Sequence, residues 1–241
     1  MSTITIYRSE RPLGAHEVLN SLSSARIQDG WIKAMPSKFS KHEIYIQYCF
    51  WESVEDDIRR IVGEDPTAII DILKEKGKNR ILRRVYCFIN TLTKTLEIYR
   101  GHDAKTEEIV SQFEGWFKTK FTQISLTSDN LQSVYSQHAT ELKQAMFKNV
   151  EGLIYEMLRG NQLEANGKFR EYLQKFPACL RVISFRPKIR FINGNNKYQV
   201  TVNGDKGTVK ISENGEWKWR PRSEIRQIVF MLTATLGLLA N

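Results

Sequence analysis

The sequence has few of the residues that build metal sites and disulfide frameworks. Its histidines and cysteines are His16, His42, His102, His138, Cys49, Cys87 and Cys179. No two histidines stand at the H-x-x-x-H or H-E-x-x-H spacing of a local metal site, and no C-x-x-C pair occurs. We therefore expect no metal, no cofactor and free thiols in a reducing compartment, which is the cytoplasm or, in a eukaryote, the nucleus.

Long apolar runs are also missing. The longest uncharged apolar stretch runs from Gln227 to Asn241. As a helix it would span about 22 Å, which is short of the ~30 Å hydrocarbon core of a bilayer. The N-terminus has no apolar run of the kind that a secretory signal needs. The sequence therefore predicts a buried terminal helix and no membrane partner.

Motifs for catalysis are absent from the sequence. There is no G-x-S-x-G nucleophile elbow, and NGDKGTVK lacks the spacing of a phosphate loop and precedes a strand pattern, so it indicates a hairpin turn. The acidic run from Glu52 to Asp57 is explained by acids at a helix start that pair with Arg59 and Arg60. No catalytic residue is predicted from these patterns.

What the sequence does have is positive charge, and it is unevenly placed. The net charge is +9, and residues 161–241 hold 14 Lys and Arg against 6 Asp and Glu. Such asymmetry points to a polyanionic partner. A second basic cluster, KEKGKNRILRR, lies where a helix runs into a strand. Cations there complement the helix dipole, which accounts for Lys74 and Lys76 but not for Arg83 and Arg84.

The hydrophobic pattern predicts an α+β fold in three parts. The first hundred residues indicate mixed α/β structure, with strand-like WIKAM and EIYIQYCFW and a hairpin whose tip is Thr91 to Lys94. The central part predicts long amphipathic helices, one after Asp103 and one running about eight turns from Ser128 to Gly160. The last third alternates short strands with Asn-Gly turns, which is typical of an antiparallel β-meander, here followed by a covering terminal helix.

The change in character at Pro177 suggests a domain boundary. We predict a mixed α/β and helical body over residues 1–177, and a basic β-meander with its C-terminal helix over residues 178–241.

Strand alternation sorts the meander into two faces. One face is apolar and includes Trp217 and Trp219, which we expect to be buried under the terminal helix instead of stacking on bases. The other carries six cations, with a seventh at its edge: Lys188, Arg190, Lys197, Lys210, Lys218, Arg220 and Arg222. A solvated sheet face also favours lysine. The near-absence of acids, with Glu216 the one exception, favours phosphate binding instead.

These observations predict a non-catalytic protein that binds nucleic acid, DNA in the first instance, through phosphate contacts of low sequence specificity. The basic face would make the contacts, with Arg83 and Arg84 as auxiliary residues. One alternative is an adaptor or scaffold subunit of a multiprotein assembly, whose partner is an acidic protein. A metal-dependent nuclease or a hydrolase of a phosphorylated substrate is the other alternative. An oligomer is compatible with each of them.

Overall fold

The structure, a computed structural model, describes residues 2–63, 65–189, 198–213 and 222–239. In this part the chain forms eleven strands: β1 (Ser2–Ser9), β2 (Gly30–Pro36), β3 (Glu43–Ser53), β4 (Arg80–Asn90), β5 (Thr95–Ile98), β6 (Phe121–Gln123), β7 (Ala139–Val150), β8 (Leu153–Arg159), β9 (Leu180–Pro187), β10 (Tyr198–Asn203) and β11 (Thr208–Glu213). It also forms seven α-helices: α1 (Ala15–Ser23), α2 (Glu55–Val62), α3 (Thr67–Glu75), α4 (Ala104–Phe117), α5 (Ser128–His138), α6 (Gly167–Lys175) and α7 (Arg222–Leu239).

All these strands belong to one antiparallel sheet, in the order β2-β3-β4-β5-β1-β11-β10-β9-β7-β8. Strand β1 joins its two halves. On one side β5 pairs with Thr5–Arg8, and on the other side β11 pairs with Ser2–Thr5 while β6 pairs with Tyr7–Ser9. The first half of the sheet is thus β2 to β1, and the second half runs from β11 to β8.

The first half of the sheet is packed on one face by α1 and α4. Helix α4 begins at the N-cap Asp103, whose side chain accepts a hydrogen bond from the Thr106 backbone, and it directs Ile109, Phe113 and Phe117 inward at helical spacing. The buried partners in the sheet include Tyr7, Ile44, Ile46, Tyr48, Val85, Cys87, Ile89, Leu96 and Ile98.

The second half is packed by α5 and α7 on the opposite face. Neighbouring residues of a strand point to opposite faces. In β1, Tyr7 belongs to the first core, whereas Ile4 and Ile6 belong to the second. The second core includes Val200, Val202, Val209 and Ile211 of the sheet and Ile225, Ile228, Val229 and Leu232 of α7. Each half therefore has one face covered by helices, and the covered face changes at β1.

The predicted fold class is wrong. The chain is mostly one large antiparallel sheet with short helices, and the described residues contain no long central amphipathic helices. Only the first of the two predicted central helices exists as such, because the second ends at His138 and is followed by the β7–β8 hairpin.

The error at β7 has a physical reason. The pairing of β7 with β9 shifts register at three places, so the strand does not keep a strict two-residue period. Its buried apolar residues are Leu142, Ala145, Phe147 and Val150, and this irregular spacing of two and three resembles a helical stripe. Glu151 and Gly152, both at positive φ, then form the turn into β8.

The C-terminal strands follow the predicted alternation where they are described. Tyr198, Val200 and Val202 are buried in β10, and Lys210 is exposed on the other face of β11. Strands β9 and β11 pair with β7 and β1, which precede Pro177 in the chain. The division into domains at residues 1–177 and 178–241 stays a prediction.

Candidate nucleic-acid interface

Most of the predicted basic face lies outside the described residues. This applies to Arg190, Lys197, Lys218 and Arg220, to Trp217 and Trp219, and to the side chain of Arg222, which begins α7. Lys210 is exposed on β11. Lys188 is exposed as well, but its ammonium donates a hydrogen bond of 3.0 Å to the Ser136 carbonyl in the last turn of α5, where a cation complements the helix dipole.

The two auxiliary arginines are separated by the sheet. Arg83 and Arg84 are neighbours in β4, so their side chains point to opposite faces. Arg83 forms ion pairs with Glu52 at 2.7 Å and with Asp57 at 2.9 Å, and these contacts fasten α2 to the strands. Arg84 is exposed and forms no ion pair with any described residue. Of the two, Arg84 is therefore the one available to a ligand.

Arg84 belongs to a surface that sequence reasoning missed, which we call the aromatic face. It lies on the first half of the sheet, opposite α1 and α4. In the strand register its residues form three rows: Trp31, Cys49 and Arg84; Lys33, Gln47 and Tyr86; and Met35, Tyr45 and Phe88. Trp51 lies beyond the first row and pairs with Leu82 of β4. Aromatic rings and the two cations Lys33 and Arg84 thus share one face of three neighbouring strands.

One end of the aromatic face exposes two tryptophans. Trp31 and Trp51 are each 44% exposed, although both lie within strands. Trp31 is opposite Cys49, and Trp51 is two residues farther along β3, so the two side chains are diagonal neighbours about 7–8 Å apart. Cys49 is fully buried between these rings and Arg84, and burial raises the pKa of its thiol.

The other end of the aromatic face is a continuous layer of rings. Tyr45 stacks on Tyr86 with ring centres 6.0 Å apart, and it also contacts Phe88 at 5.4 Å. Phe88 in turn contacts Tyr99 at 5.2 Å. Such offset and tilted ring pairs are favourable geometries, and they stabilise this part of the face.

A pocket of about 640 Å³ opens over this ring layer. It is lined by Thr3, Met35, Pro36, Ser37, Lys38, Phe39, Tyr45, Arg84, Tyr86, Phe88, Tyr99, Arg100, Gly101, Ile225 and Arg226. The volume is within the usual range of small-molecule sites. The β2–β3 turn supplies one wall and the start of α7 supplies another.

Below the pocket lies a buried ion cluster. The Arg226 guanidinium binds both Glu43 and Glu97, and it donates a hydrogen bond of 3.2 Å to the Tyr99 hydroxyl. It also lies 4.3 Å from the centre of the Phe88 ring. Burial lowers the pKa of Arg226 to about 9, so the side chain is still charged at neutral pH. The cluster fastens α7 to the first half of the sheet.

The described residues contain no group of three or more His, Cys, Asp or Glu side chains that could hold a metal ion. None of the described helices is long and apolar enough to cross a membrane.

No protein-family model matches the chain, and no curated protein sequence is significantly similar to it. The geometry and charges of the aromatic face are therefore the features from which a function can be inferred.

Proposed function

We propose that the protein binds single-stranded nucleic acid across the aromatic face. The observation that carries the proposal is the exposure of Trp31 and Trp51 on adjacent strands, with the cations Lys33 and Arg84 beside them. Base stacking on an aromatic side chain is worth about 1–3 kcal/mol per base and accepts every base. The cations would contact the phosphates between the stacked bases.

The dimensions of the surface suit a short single strand. From Tyr45 to Trp51 the strand β3 rises six residues, which is about 20 Å. At 3.4 Å per nucleotide in a stacked strand, this length accommodates up to about six nucleotides. A duplex would present its sugar–phosphate backbone to the rings, so the exposed tryptophans favour single strands.

The charges on the aromatic face predict a moderate salt dependence. Three exposed cations, Lys33, Lys38 and Arg84, lie on or beside the ring layer. Three phosphate contacts correspond to a slope of about −2 in a plot of log K against log salt for a single strand. Sequence specificity is not expected, because stacking and phosphate contacts do not distinguish bases strongly.

The test is a fluorescence-anisotropy titration with labelled 12-nucleotide single strands of DNA and of RNA, and with a DNA duplex, across a salt series. We expect single strands to bind more tightly than the duplex. The RNA arm tests the sequence-based preference for DNA. The Trp31→Ala/Trp51→Ala variant should lose at least tenfold in affinity at each salt concentration, and Arg84→Glu should lose affinity and also flatten the slope.

Lys210→Glu is the matched control. Lys210 is also an exposed strand cation, but it lies on the second half of the sheet and belongs to the basic face predicted from the sequence. If Lys210→Glu weakens binding and Trp31→Ala/Trp51→Ala does not, the interface is the basic face, and the aromatic-face proposal is wrong. If the wild type binds no oligonucleotide at low salt, nucleic-acid binding itself is refuted and the adaptor hypothesis takes its place.

A further inference from the structure

We propose that the pocket over the ring layer binds one nucleoside phosphate, either a free nucleotide or one nucleotide of a bound strand. The base would lie against the rings of Tyr45, Phe88 and Tyr99, and the phosphate would contact Lys38 and Arg84. This inference rests on the proposed function, because it assigns the pocket to the same nucleic-acid surface, but it concerns different residues from the two exposed tryptophans.

The shape of the pocket requires a ligand with a flat apolar part. Its floor consists of four aromatic rings, Tyr86, Tyr45, Phe88 and Tyr99, each of which contacts the next. Phe39 in the β2–β3 turn is 51% exposed and lines the same pocket. A planar ring that enters between Phe39 and the floor would bury apolar surface on both of its faces.

The charges at the pocket rim require an anionic part. Lys38 and Arg84 line the pocket, are exposed and form no ion pair with any described residue. A third rim cation, Arg100, is paired with Asp103 at 2.9 Å. Asp103 therefore neutralises one of the three rim cations, and Glu43 and Glu97, which bind the Arg226 guanidinium, are fully buried. An organic cation would therefore be repelled by Lys38 and Arg84 at the rim, whereas a phosphate would be attracted to both.

Glu43 holds both walls of the pocket in position. Its carboxylate binds Arg226 of α7, and it accepts a hydrogen bond of 2.6 Å from the Ser37 hydroxyl at the start of the turn that carries Lys38 and Phe39. The Ser37 backbone also donates to the Glu43 carbonyl at 2.8 Å. One buried carboxylate thus connects the turn with the helix, and a preorganised site loses less entropy when it binds.

The combination of ring and anion distinguishes a nucleotide from simpler ligands. Inorganic phosphate would use the rim cations and leave the ring floor empty, and a nucleoside would do the reverse. We therefore expect adenosine 5′-monophosphate to bind at least tenfold more tightly than either adenosine or inorganic phosphate. The same pocket would serve a nucleotide within a strand, in which case a short oligonucleotide competes with the mononucleotide.

The experiment is isothermal titration calorimetry of the full chain with adenosine 5′-monophosphate, adenosine and inorganic phosphate, followed by competition with a 12-nucleotide single strand. The pocket variant is Lys38→Glu/Phe39→Ala, in which both residues are exposed, so the fold should persist and circular dichroism can verify it. We expect this variant to lose at least tenfold in nucleotide affinity. Trp31→Ala/Trp51→Ala should bind the nucleotide as the wild type does, because neither tryptophan lines the pocket.

The outcomes separate this inference from the proposed function. If no mononucleotide binds but the single strand still binds through Trp31 and Trp51, the pocket inference is wrong and the proposed function stands. Nucleotide binding that survives Lys38→Glu/Phe39→Ala would place the site elsewhere and also overturn the inference. Mononucleotide binding that this variant abolishes, without any binding of oligonucleotides, supports the pocket and refutes the single-strand proposal. Competition between the two ligands supports a pocket that holds one nucleotide of a strand.

Discussion

Removal of the Arg226 guanidinium should destabilise the protein severely. Its side chain is 2% exposed, and those of its partners Glu43 and Glu97 are 0% and 1% exposed. In Arg226→Met a side chain of similar length would leave two carboxylates buried without a cation. Breaking a buried pair in this way typically costs about 3–5 kcal/mol. For a domain whose free energy of unfolding is about 5–15 kcal/mol, that is a large fraction of the total.

The structure also predicts which further substitutions restore the stability that Arg226→Met loses. Adding Glu43→Gln and Glu97→Gln to Arg226→Met removes the uncompensated charges, while the amides keep the shape of the side chains. The amide oxygen that Glu43→Gln introduces can still accept the hydrogen bond from the Ser37 hydroxyl. Because neutral, hydrogen-bonded groups are far less costly to bury than unpaired charges, most of the lost stability should return.

The measurement is urea unfolding of four proteins, followed by circular dichroism: the wild type, Arg226→Met, Glu43→Gln/Glu97→Gln and the triple variant. We expect both partial variants to be less stable than the triple variant, with a coupling energy of several kcal/mol between the two sets of changes. A loss of stability below about 1 kcal/mol in Arg226→Met would contradict this prediction, because carboxylates that lose their cation at so small a cost must be accessible to water. A triple variant as unstable as Arg226→Met would show that packing, and not charge, is what the arginine supplies.

Two other features give predictions for the same assay. Gly207 has a φ of +48°, and a Cβ there would lie 2.0 Å from the Ile124 carbonyl oxygen. Gly207→Ala should therefore lower the free energy of unfolding by about 2 kcal/mol or more. Gly152 is also at positive φ but has open space around it, so Gly152→Ala should cost about 1 kcal/mol. Equal costs would contradict the predicted clash. Burial, assisted by nearby Lys188, lowers the pKa of His138 from its ordinary 6.5. As the pH drops from 7 to 5, the imidazole is therefore protonated in the unfolded chain before it is protonated in the folded protein, and the free energy of unfolding should fall. His138→Gln should reduce this slope, and an unchanged slope would contradict the assignment.

Local signals in the sequence were sufficient to predict elements whose hydrogen bonds join residues close together in the chain. In the helix after Asp103 the cap and the apolar stripe agree, and the hairpin with Thr91 to Lys94 at its tip follows from two strand-like runs that are adjacent in the chain. At β7 the local pattern was misleading, since the register shifts that set its apolar spacing depend on β9, which follows about 40 residues later. A residue pattern cannot reveal a bulge whose partner strand is unknown.

The candidate site could not be predicted from the sequence for a related reason. WIKAM and EIYIQYCFW are recognised as strands, but each has large apolar side chains on both faces and only Lys33, Glu43 and Gln47 as polar exceptions, so alternation is a weak guide to which side is exposed. Arg83 and Arg84 look equivalent in the sequence, and only the contacts of Arg83 with Glu52 and Asp57 separate them. Arg226 is 183 residues from Glu43, and no local signal connects the two.

The two halves of the sheet provide a comparison within one molecule. Because the helix-covered face changes at β1, each half has a second face on the opposite side. In the second half the described part of this face carries polar groups such as Thr201, Lys210 and the buried Ser184, together with Tyr155 of the edge strand β8, which is 59% exposed. In the first half it carries Trp31 and Trp51, whose exposure to water is unfavourable unless a ligand covers them. Polar groups on a sheet face need no further explanation, whereas two exposed tryptophans side by side on adjacent strands, with cations next to them, call for a binding partner.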